Sequence, residues 1–222
     1  GEGKATFTGG VFNPEVKAVV TETGEEETNI IVSHGDIVNA GVYEVTVKVG
    51  ALEKVYRLQF VVEAKPIELE WNVPGFVYNG SAQKPSVAAK QGEIVDGNIV
   101  TVNVSTASSA INAGTYTATA TLGGENADNY VITNATAEFA ITPASVEVTI
   151  EEATSVYGEN AANIRFNTTS ELYGKKLSDI AEAVCEVTSS SAVGTYEITL
   201  NGKDENYAIT YEKGRYLVTK RA

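Results

Sequence analysis

The chain has 222 residues and a formal net charge of −13, with 20% charged and 43% hydrophobic residues. This balance excludes a disordered chain, and the excess of acidic groups repels nucleic-acid phosphates and anionic lipids, so we expect no nucleic-acid partner. No apolar run reaches the roughly 18 residues of a membrane-spanning helix, so we expect no membrane insertion. The sequence contains no methionine, which predicts a fragment of a longer polypeptide.

The first repeated landmark is an aromatic residue followed closely by glycine. Phe7-Thr8-Gly9 returns as Tyr78-Asn79-Gly80, and in both copies a proline follows the aromatic residue by seven positions (Pro14 and Pro85). A shorter variant without the proline, Tyr157-Gly158, occurs in the last third of the chain. Repetition on this scale indicates a chain built from successive small modules.

The second landmark is a glycine two residues before a tyrosine. It reads AGVY at residues 40–43, AGTY at 113–116 and VGTY at 193–196. Two interpretations stay open for the three tyrosines. They are either plain core aromatics or tyrosine corners, in which the hydroxyl bonds back to the upstream backbone.

The third landmark is NYVI at residues 129–132, which returns as NYAI at 206–209. The first repeat lacks it and has a short turn within VGALEKV (residues 49–55) instead. Proline cannot donate to a strand ladder and suits a strand entrance, so boundaries are predicted at the Lys65-Pro66 and Thr142-Pro143 steps. The predicted modules are therefore residues 1–65 (divergent), 66–142 and 143–222.

Alternating apolar and polar residues follow each tyrosine, as in VYEVTVKV, TYTATATL and TYEITL, and predict half-buried strands. Turn-forming segments separate them every eight to twelve residues. We therefore predict an all-β chain of tandem antiparallel β-sandwich modules of the immunoglobulin-like kind, arranged end to end. Each module is expected to have its own core, and packing between neighbours is expected to add stability.

One segment, KKLSDIAEAVC, has a helical pattern. Leu177, Ile180, Ala181 and Val184 share one stripe and predict a short helix in the third module. A β-grasp fold stays open for that module.

The ordered landmarks resemble the "mostly beta, glycine-rich" (MBG) repeats of bacterial cell-surface and secreted proteins. The third repeat, with VYGEN, AVGTYEITL and NYAITYEKGRYLVTK, resembles the variety marked by a Tyr-Gly step. The second resembles a sister variety through VYNGSAQKP and INAGTYTATATLGGENADNYVI. The resemblance covers residues 66–222 well and 1–65 loosely. It implies a tandem extracellular module that spaces, presents or adheres, and it brings no catalytic residues with it.

The residues themselves predict no active site and no cofactor. His34 is the only histidine, and no nucleophile signature accompanies it, so it is interpreted as a surface or turn residue. Cys185 is the only cysteine and is interpreted as a core residue. Three repeats account for the whole chain, which leaves no segment for a separate catalytic domain.

Calcium is the metal that the turns GENADN and GKDEN could bind. Their oxygen-bearing candidates are Asp128, Asn129, Asp204, Glu205 and Asn206. The same residue types are favoured in hairpin turns for backbone reasons, so both interpretations stay open.

The sequence therefore predicts a monomeric, non-enzymatic region of a bacterial surface protein, located outside the cell and acting as a stalk, spacer or adhesion module. Its partner would be an unidentified glycan or protein of a host or cell wall. The alternative is a carbohydrate-binding module that stacks sugars on Trp71, Tyr56 or Tyr211. For Trp71, a structural position between the first two modules is the competing interpretation.

Overall fold

The structure, a computed structural model, describes residues 3–50, 54–106 and 109–221. Residues 51–53 of the predicted short turn lie outside this range. The first eight strands are β1 (Gly3–Thr6), β2 (Ala18–Val19), β3 (Glu26–Glu27), β4 (Ile30–Ser33), β5 (Gly41–Val49), β6 (Lys54–Glu63), β7 (Lys65–Ile67) and β8 (Leu69–Asn72). The next six are β9 (Phe76–Val77), β10 (Ser86–Ala89), β11 (Thr101–Thr106), β12 (Gly114–Gly123), β13 (Tyr130–Ile132) and β14 (Thr136–Thr142). The remaining elements are β15 (Ala144–Ile150), β16 (Ala153–Val156), β17 (Phe166–Asn167), helix α1 (Leu177–Ile180), β18 (Ala181–Val184), β19 (Gly194–Gly202), β20 (Tyr207–Tyr211) and β21 (Gly214–Thr219), and a 3-10 turn at Ala127–Asn129 precedes β13.

The chain divides into two compact units. The first comprises Gly1–Asn72, Pro85–Ser105 and Ala118–Ala137, and the second comprises Val73–Lys84, Thr106–Thr117 and Glu138–Ala222. The three-module division with boundaries after residues 65 and 142 describes sequence repeats and stays a prediction.

The first unit contains a four-stranded sheet in the order β1-β6-β5-β4. Strand β5 pairs antiparallel with β4 and β6, whereas β1 runs parallel to β6. Val45 and Val47 are buried and the intervening side chain of β5 is partly exposed, as the period of two requires. The unit also contains the antiparallel pairs β2–β3 and β8–β10 and the parallel pair β7–β13.

One hydrophobic cluster forms the core of the first unit. Its buried members are Phe7, Ile37, Val45, Val47, Val62, Ile67, Leu69, Ala120 and Tyr130. They come from both sides of the step between residues 65 and 66, so the expectation of a separate core for each module is wrong for the first two repeats. The reason is size, because a segment of about 65 residues buries too little of its own surface.

The second unit contains a four-stranded sheet in the order β16-β21-β19-β18. Strand β15 pairs antiparallel with β17 and parallel with β20, and β9 runs parallel to the end of β14. Its cluster of buried side chains consists of Ala153, Val187, Ile198, Tyr216 and Val218.

The all-β fold is confirmed, and the sheets are mixed rather than purely antiparallel. In each repeat an early strand runs parallel to the last strand: β1 to β6, β9 to β14, and β16 to β21. Alternation of side chains reports which face a residue occupies but not the direction of the neighbouring strand. The sequence pattern therefore could not predict that these strand pairs are parallel.

The predicted helix is confirmed over one turn only. Helix α1 covers Leu177–Ile180, but Ala181 and Val184 belong to β18, so the longer helical stripe is wrong. Pairing with β19, which places Ala181 opposite Gly202, satisfies the backbone of this segment and ends the helix.

All three glycine–x–tyrosine landmarks form tyrosine corners. Tyr43, Tyr116 and Tyr196 each donate the hydroxyl hydrogen to the backbone carbonyl four residues upstream, at 2.8 Å in every case. The corner interpretation therefore holds. Each of these hydrogen bonds ties the segment that precedes a long strand to the start of that strand.

Candidate functional site

The aromatic residue that follows β1 is covered by the tyrosine that opens β13. The Phe7 backbone N–H donates to the Glu63 carbonyl at 2.9 Å, which extends the β1–β6 pairing and fixes the position of the ring. The Phe7 and Tyr130 rings meet edge to face, with centroids 5.5 Å apart at 79°. The two side chains are only 3% and 5% exposed. This contact joins the first two sequence repeats.

Asn129 lies beside this ring pair and is 4% exposed, the sole buried polar or charged residue among those that the structure describes. Its Oδ1 accepts a hydrogen bond from the Ala40 N–H at 2.7 Å, and its Nδ2 donates to Asn39 Oδ1 at 3.0 Å. A buried amide is costly unless it is hydrogen-bonded, and here both ends of the amide are satisfied.

Local structure places both halves of this contact. The Tyr43 hydroxyl donates to the Asn39 carbonyl oxygen and so orients the Asn39–Ala40 peptide toward Asn129. On the other side of the contact, Asn129 immediately precedes β13. Strand β13 pairs in parallel with β7, with Tyr130 opposite Lys65, and this pairing fixes the position of Asn129. We call the set Phe7, Asn39, Ala40, Asn129 and Tyr130 the first clasp.

The hydroxyl of Tyr130 is also fully engaged. It donates to Asn98 Oδ1 at 2.8 Å and accepts from the Val95 N–H at 3.0 Å. Val95 approaches Gly9 so closely that a Cβ there would lie 2.6 Å from Val95 Cγ1, and Gly9 has a φ of +82°. Glycine is therefore required at Gly9 for both space and backbone conformation.

The same contact recurs within the second unit, between the second and third repeats. Tyr78 meets Tyr207 edge to face with centroids 5.2 Å apart at 74°. The Ala113 N–H donates to Asn206 Oδ1 at 2.7 Å, and Asn206 Nδ2 donates to Asn112 Oδ1 at 3.3 Å. We call these five residues the second clasp.

A polar cluster supports the second clasp. Asp204 forms an ion pair with Lys175, and its Oδ1 accepts hydrogen bonds from Asn206 N–H at 3.0 Å and Nδ2 at 2.8 Å. Burial alone raises the pKa of Asp204, but the hydrogen bonds from Lys175 and Asn206 outweigh it, so this pKa lies below its ordinary value of 3.8. Burial also raises the pKa of Tyr207, whose hydroxyl donates to the Leu172 carbonyl at 2.7 Å. The cluster therefore holds a carboxylate and a neutral phenol at neutral pH.

Asp204→Asn is expected to lower the free energy of unfolding at pH 7 by about 1 kcal/mol, because a partly exposed ion pair and a charged hydrogen bond are lost. Since the folded-state pKa is lowered, the carboxylate's contribution is present above the ordinary pKa and disappears as pH falls through the folded-state pKa. Urea unfolding followed by circular dichroism should therefore show a larger difference in stability at pH 7 than at a pH below the ordinary pKa of 3.8. The exposed Asp128→Asn variant is the matched control. An equal loss at both pH values would contradict a role for the charge.

The calcium candidates occupy different positions. Asn129 and Asn206 use their side-chain oxygens in the clasps, and Asp204 faces Lys175, whereas Asp128 and Glu205 are exposed. Within the described residues no three or more His, Cys, Asp and Glu side chains group as a metal site. Calcium binding at these turns stays a prediction.

The three aromatic candidates for sugar stacking do not share a site. Trp71 is half-buried against the core of the first unit and donates its indole N–H to the Asn134 carbonyl at 3.0 Å. Tyr56 is 42% exposed beside Lys54 and lines a groove with Leu58 whose other lining residues are both polar and apolar. Tyr211 is half-buried in the second unit. Tyr56 is the best placed of the three for an external ligand.

Among the described residues, neither His34 nor Cys185 belongs to a cluster of three or more His, Cys, Asp or Glu side chains. The Nδ1 atom of His34 lies 2.8 Å from the Gly35 carbonyl oxygen in a loop. Cys185 is a free thiol, half-buried against the core of the second unit, as its core interpretation anticipated.

Sequence reasoning found the three landmarks but missed that landmarks of neighbouring repeats meet. The available signal was an extra asparagine. Asn39 and Asn112 precede the second landmark in the first two repeats, whereas the third has Ala192. In each clasp an asparagine before the glycine–x–tyrosine landmark meets the asparagine of the Asn-Tyr landmark of the next repeat, and this recurrence was the sign of an amide pair.

The fold and its repeated clasps define an all-β protein made of interlocking repeats. Residues 146–217 match the family model of the MBG domain (YGX type), which confirms the resemblance of the third repeat. No curated protein sequence matches the chain. Among the described residues, no helix combines the length and hydrophobicity needed to cross a bilayer.

Solved structures that show weak similarity over most or all of the chain include the following three. N-cadherin EC1-3 of Drosophila is 8% identical with a TM-score of 0.25, covering 99% of this chain and 98% of that one. Three N-terminal domains of the bacteriophage RB49 outer capsid protein Hoc are 14% identical with a TM-score of 0.23, covering 82% and 80%. The Bacteroides ovatus protein SGBP-B, solved with a mixed-linkage heptasaccharide, is 14% identical with a TM-score of 0.20, covering 91% and 57%. These scores are too low to bear on function.

Proposed function

We propose that the chain is a non-enzymatic spacer region of an extracellular bacterial surface protein, and that it holds another part of that protein away from the envelope. The MBG match over residues 146–217 supports a surface-protein repeat. As a monomeric spacer it would need no ligand of its own, and its presented region would meet the host or cell-wall partner.

The observation that carries this proposal is the recurrence of the clasp. Asn129 and Asn206 make the same amide contacts in two successive junctions, and each is accompanied by an edge-to-face ring pair. A flexible tether would need neither a buried amide nor a shared core, because its segments only have to stay connected. A spacer must hold its neighbouring repeats in a fixed relation so that its length is maintained, and the repeated clasps provide such fixed contacts.

Small-angle X-ray scattering tests the spacer role. Three modules in file, each about 20–26 Å along its strands, should give a maximum dimension of roughly 60–80 Å. A compact globule of this length would instead have a radius of gyration of about 17 Å, which for a sphere corresponds to a maximum dimension of about 44 Å. A measured maximum dimension of about 44 Å would contradict the proposal. The double variant Asn129→Ala, Asn206→Ala is the comparison, and its loosened clasps should broaden the distribution of dimensions while the strands persist.

A glycan array separates the carbohydrate-binding alternative. A spacer should bind no glycan, whereas a carbohydrate-binding module should bind one and lose it in Tyr56→Ala. Loss of binding in that variant, with unchanged circular dichroism, would replace the spacer proposal.

A further inference from the structure

The third repeat carries an open copy of the surface that the first two repeats use in their clasps. That surface has two parts, a ring that follows the early strand parallel to the repeat's last strand, and a backbone N–H beside the tyrosine corner. Both parts can be matched across the three repeats by their hydrogen bonds.

The rings after β1, β9 and β16 are equivalent. Phe7, Tyr78 and Tyr157 each donate the backbone N–H to the end of the repeat's last strand, at 2.9, 2.8 and 2.9 Å. Phe7 and Tyr78 are 3% and 4% exposed, whereas Tyr157 is 49% exposed. Tyrosines of the next repeat cover the two buried rings: Tyr130 covers Phe7, and Tyr207 together with Tyr173 covers Tyr78. The third ring therefore lacks the cover that the other two have.

The N–H groups beside the corners are also equivalent. Ala40 and Ala113 follow the carbonyls that accept from Tyr43 and Tyr116, and Val193 stands in the same relation to Tyr196. The first two N–H groups each donate to the side-chain oxygen of an asparagine in the next repeat, at 2.7 Å in both cases. Within the described residues the Val193 N–H has no such partner, and the side chain is 47% exposed.

We propose that Tyr157 and the Val193 N–H form a docking surface for a further module of this fold, joined after β21 and carrying its own Asn-Tyr pair. The incoming asparagine Oδ1 accepts from Val193, and the incoming tyrosine packs edge-on against Tyr157. A second copy of this chain does not fit, because Asn129 and Asn206 are already committed to clasps. This proposal deepens the spacer function and rests on it.

The third surface differs from the other two at one position. Asn39 and Asn112 accept from the amide of the docked asparagine, but the corresponding residue is Ala192, which has no acceptor side chain. The third clasp should therefore keep the backbone contact and lack the amide pair. Ala192→Asn should restore the pair and tighten the contact.

The test lengthens the chain, with residues 1–219 followed by a second copy of residues 143–222, so that Pro143 follows Thr219 as it follows Thr142. Amide hydrogen exchange measured by NMR should slow at Val193 by at least about tenfold relative to the original chain. Ala192→Asn should slow it further in the long chain and leave it unchanged in the original. Asn206→Ala in the added copy should restore fast exchange, whereas Asn201→Ala in the copy, at an exposed position, should not.

Equal exchange at Val193 in the two chains would overturn the proposal. If the added copy does not fold, residues 64–142 are appended in its place. If neither appended module folds against Tyr157 and Val193, the proposal is overturned as well. Exchange at Val193 reports docking, whereas the scattering dimension of the original chain reports the spacer role, so the two can fail separately.

Discussion

Tyr130→Ala is expected to lower the free energy of unfolding of the first unit by about 3–5 kcal/mol. The side chain is 5% exposed, packs edge-on against Phe7 and belongs to the cluster shared by the first two repeats. Its removal leaves a cavity at the junction and also leaves the Val95 N–H without its acceptor. The cavity and the unsatisfied N–H both destabilise the folded state.

Trp71 makes the measurement specific to this unit. It is the only tryptophan in the chain and packs against the same cluster, so its fluorescence in a urea titration reports the unfolding of the first unit. Tyr130→Phe keeps the ring and removes only the hydroxyl, so it should cost about 1–3 kcal/mol. The three-way comparison separates packing from hydrogen bonding.

Tyr157→Ala serves as the matched control for ring removal. Its ring is half exposed and lacks a covering tyrosine, so the same substitution should cost well under half as much. Circular dichroism must be used for this variant, because Tyr157 lies in the second unit. Equal losses for Tyr130→Ala and Tyr157→Ala would contradict the claim that cover by the next repeat creates the buried ring.

Much of the strand structure follows from local pattern. The alternation that begins at Tyr43 places Val45 and Val47 on the buried face, where the structure has them. The corner could be stated as one of two possibilities because glycine and tyrosine recur at a fixed offset. Two-residue strands such as β9 carry too few residues for any period to be detected.

The helix shows where local pattern fails. Ile180 and Ala181 are both buried, so a stripe drawn through them fits a helix and equally a turn followed by a strand. The ladder to β19 decides between the two, and that ladder depends on residues 199–202, outside any local window. Tertiary pairing outweighs a weak helical preference here.

The clasps were beyond sequence reasoning for a related reason. Asn129 and Asn39 are 90 positions apart, and nothing local says that they meet. Asn129 was instead a calcium candidate, because an amide oxygen can ligate a cation or accept a hydrogen bond with the same lone pairs. In the structure the Asn129 side-chain oxygen accepts a hydrogen bond from the Ala40 N–H. The position of that N–H depends on the tyrosine corner of Tyr43, which the residues around Asn129 do not reveal.

Asn129→Ala is the substitution that addresses this amide directly, and it should lower the free energy of unfolding reported by Trp71 by about 1–3 kcal/mol. The change removes an acceptor from the Ala40 N–H and a donor from Asn39, and it leaves the Ala40 N–H unsatisfied in a partly buried position. Exposed Asn103→Ala is the matched control and should change stability by no more than about 0.5 kcal/mol.

Amide hydrogen exchange gives the second readout for Asn129→Ala. Exchange at Ala40 should accelerate because its hydrogen bond is gone, while Ala113, whose partner is Asn206, should exchange as before. Asn39→Ala removes only the amide-to-amide bond, so it should weaken stability less than Asn129→Ala and leave Ala40 protected. If Asn129→Ala matched the Asn103→Ala control, or if Ala40 stayed protected without Asn129, the buried amide would not be what fastens the first repeat to the second.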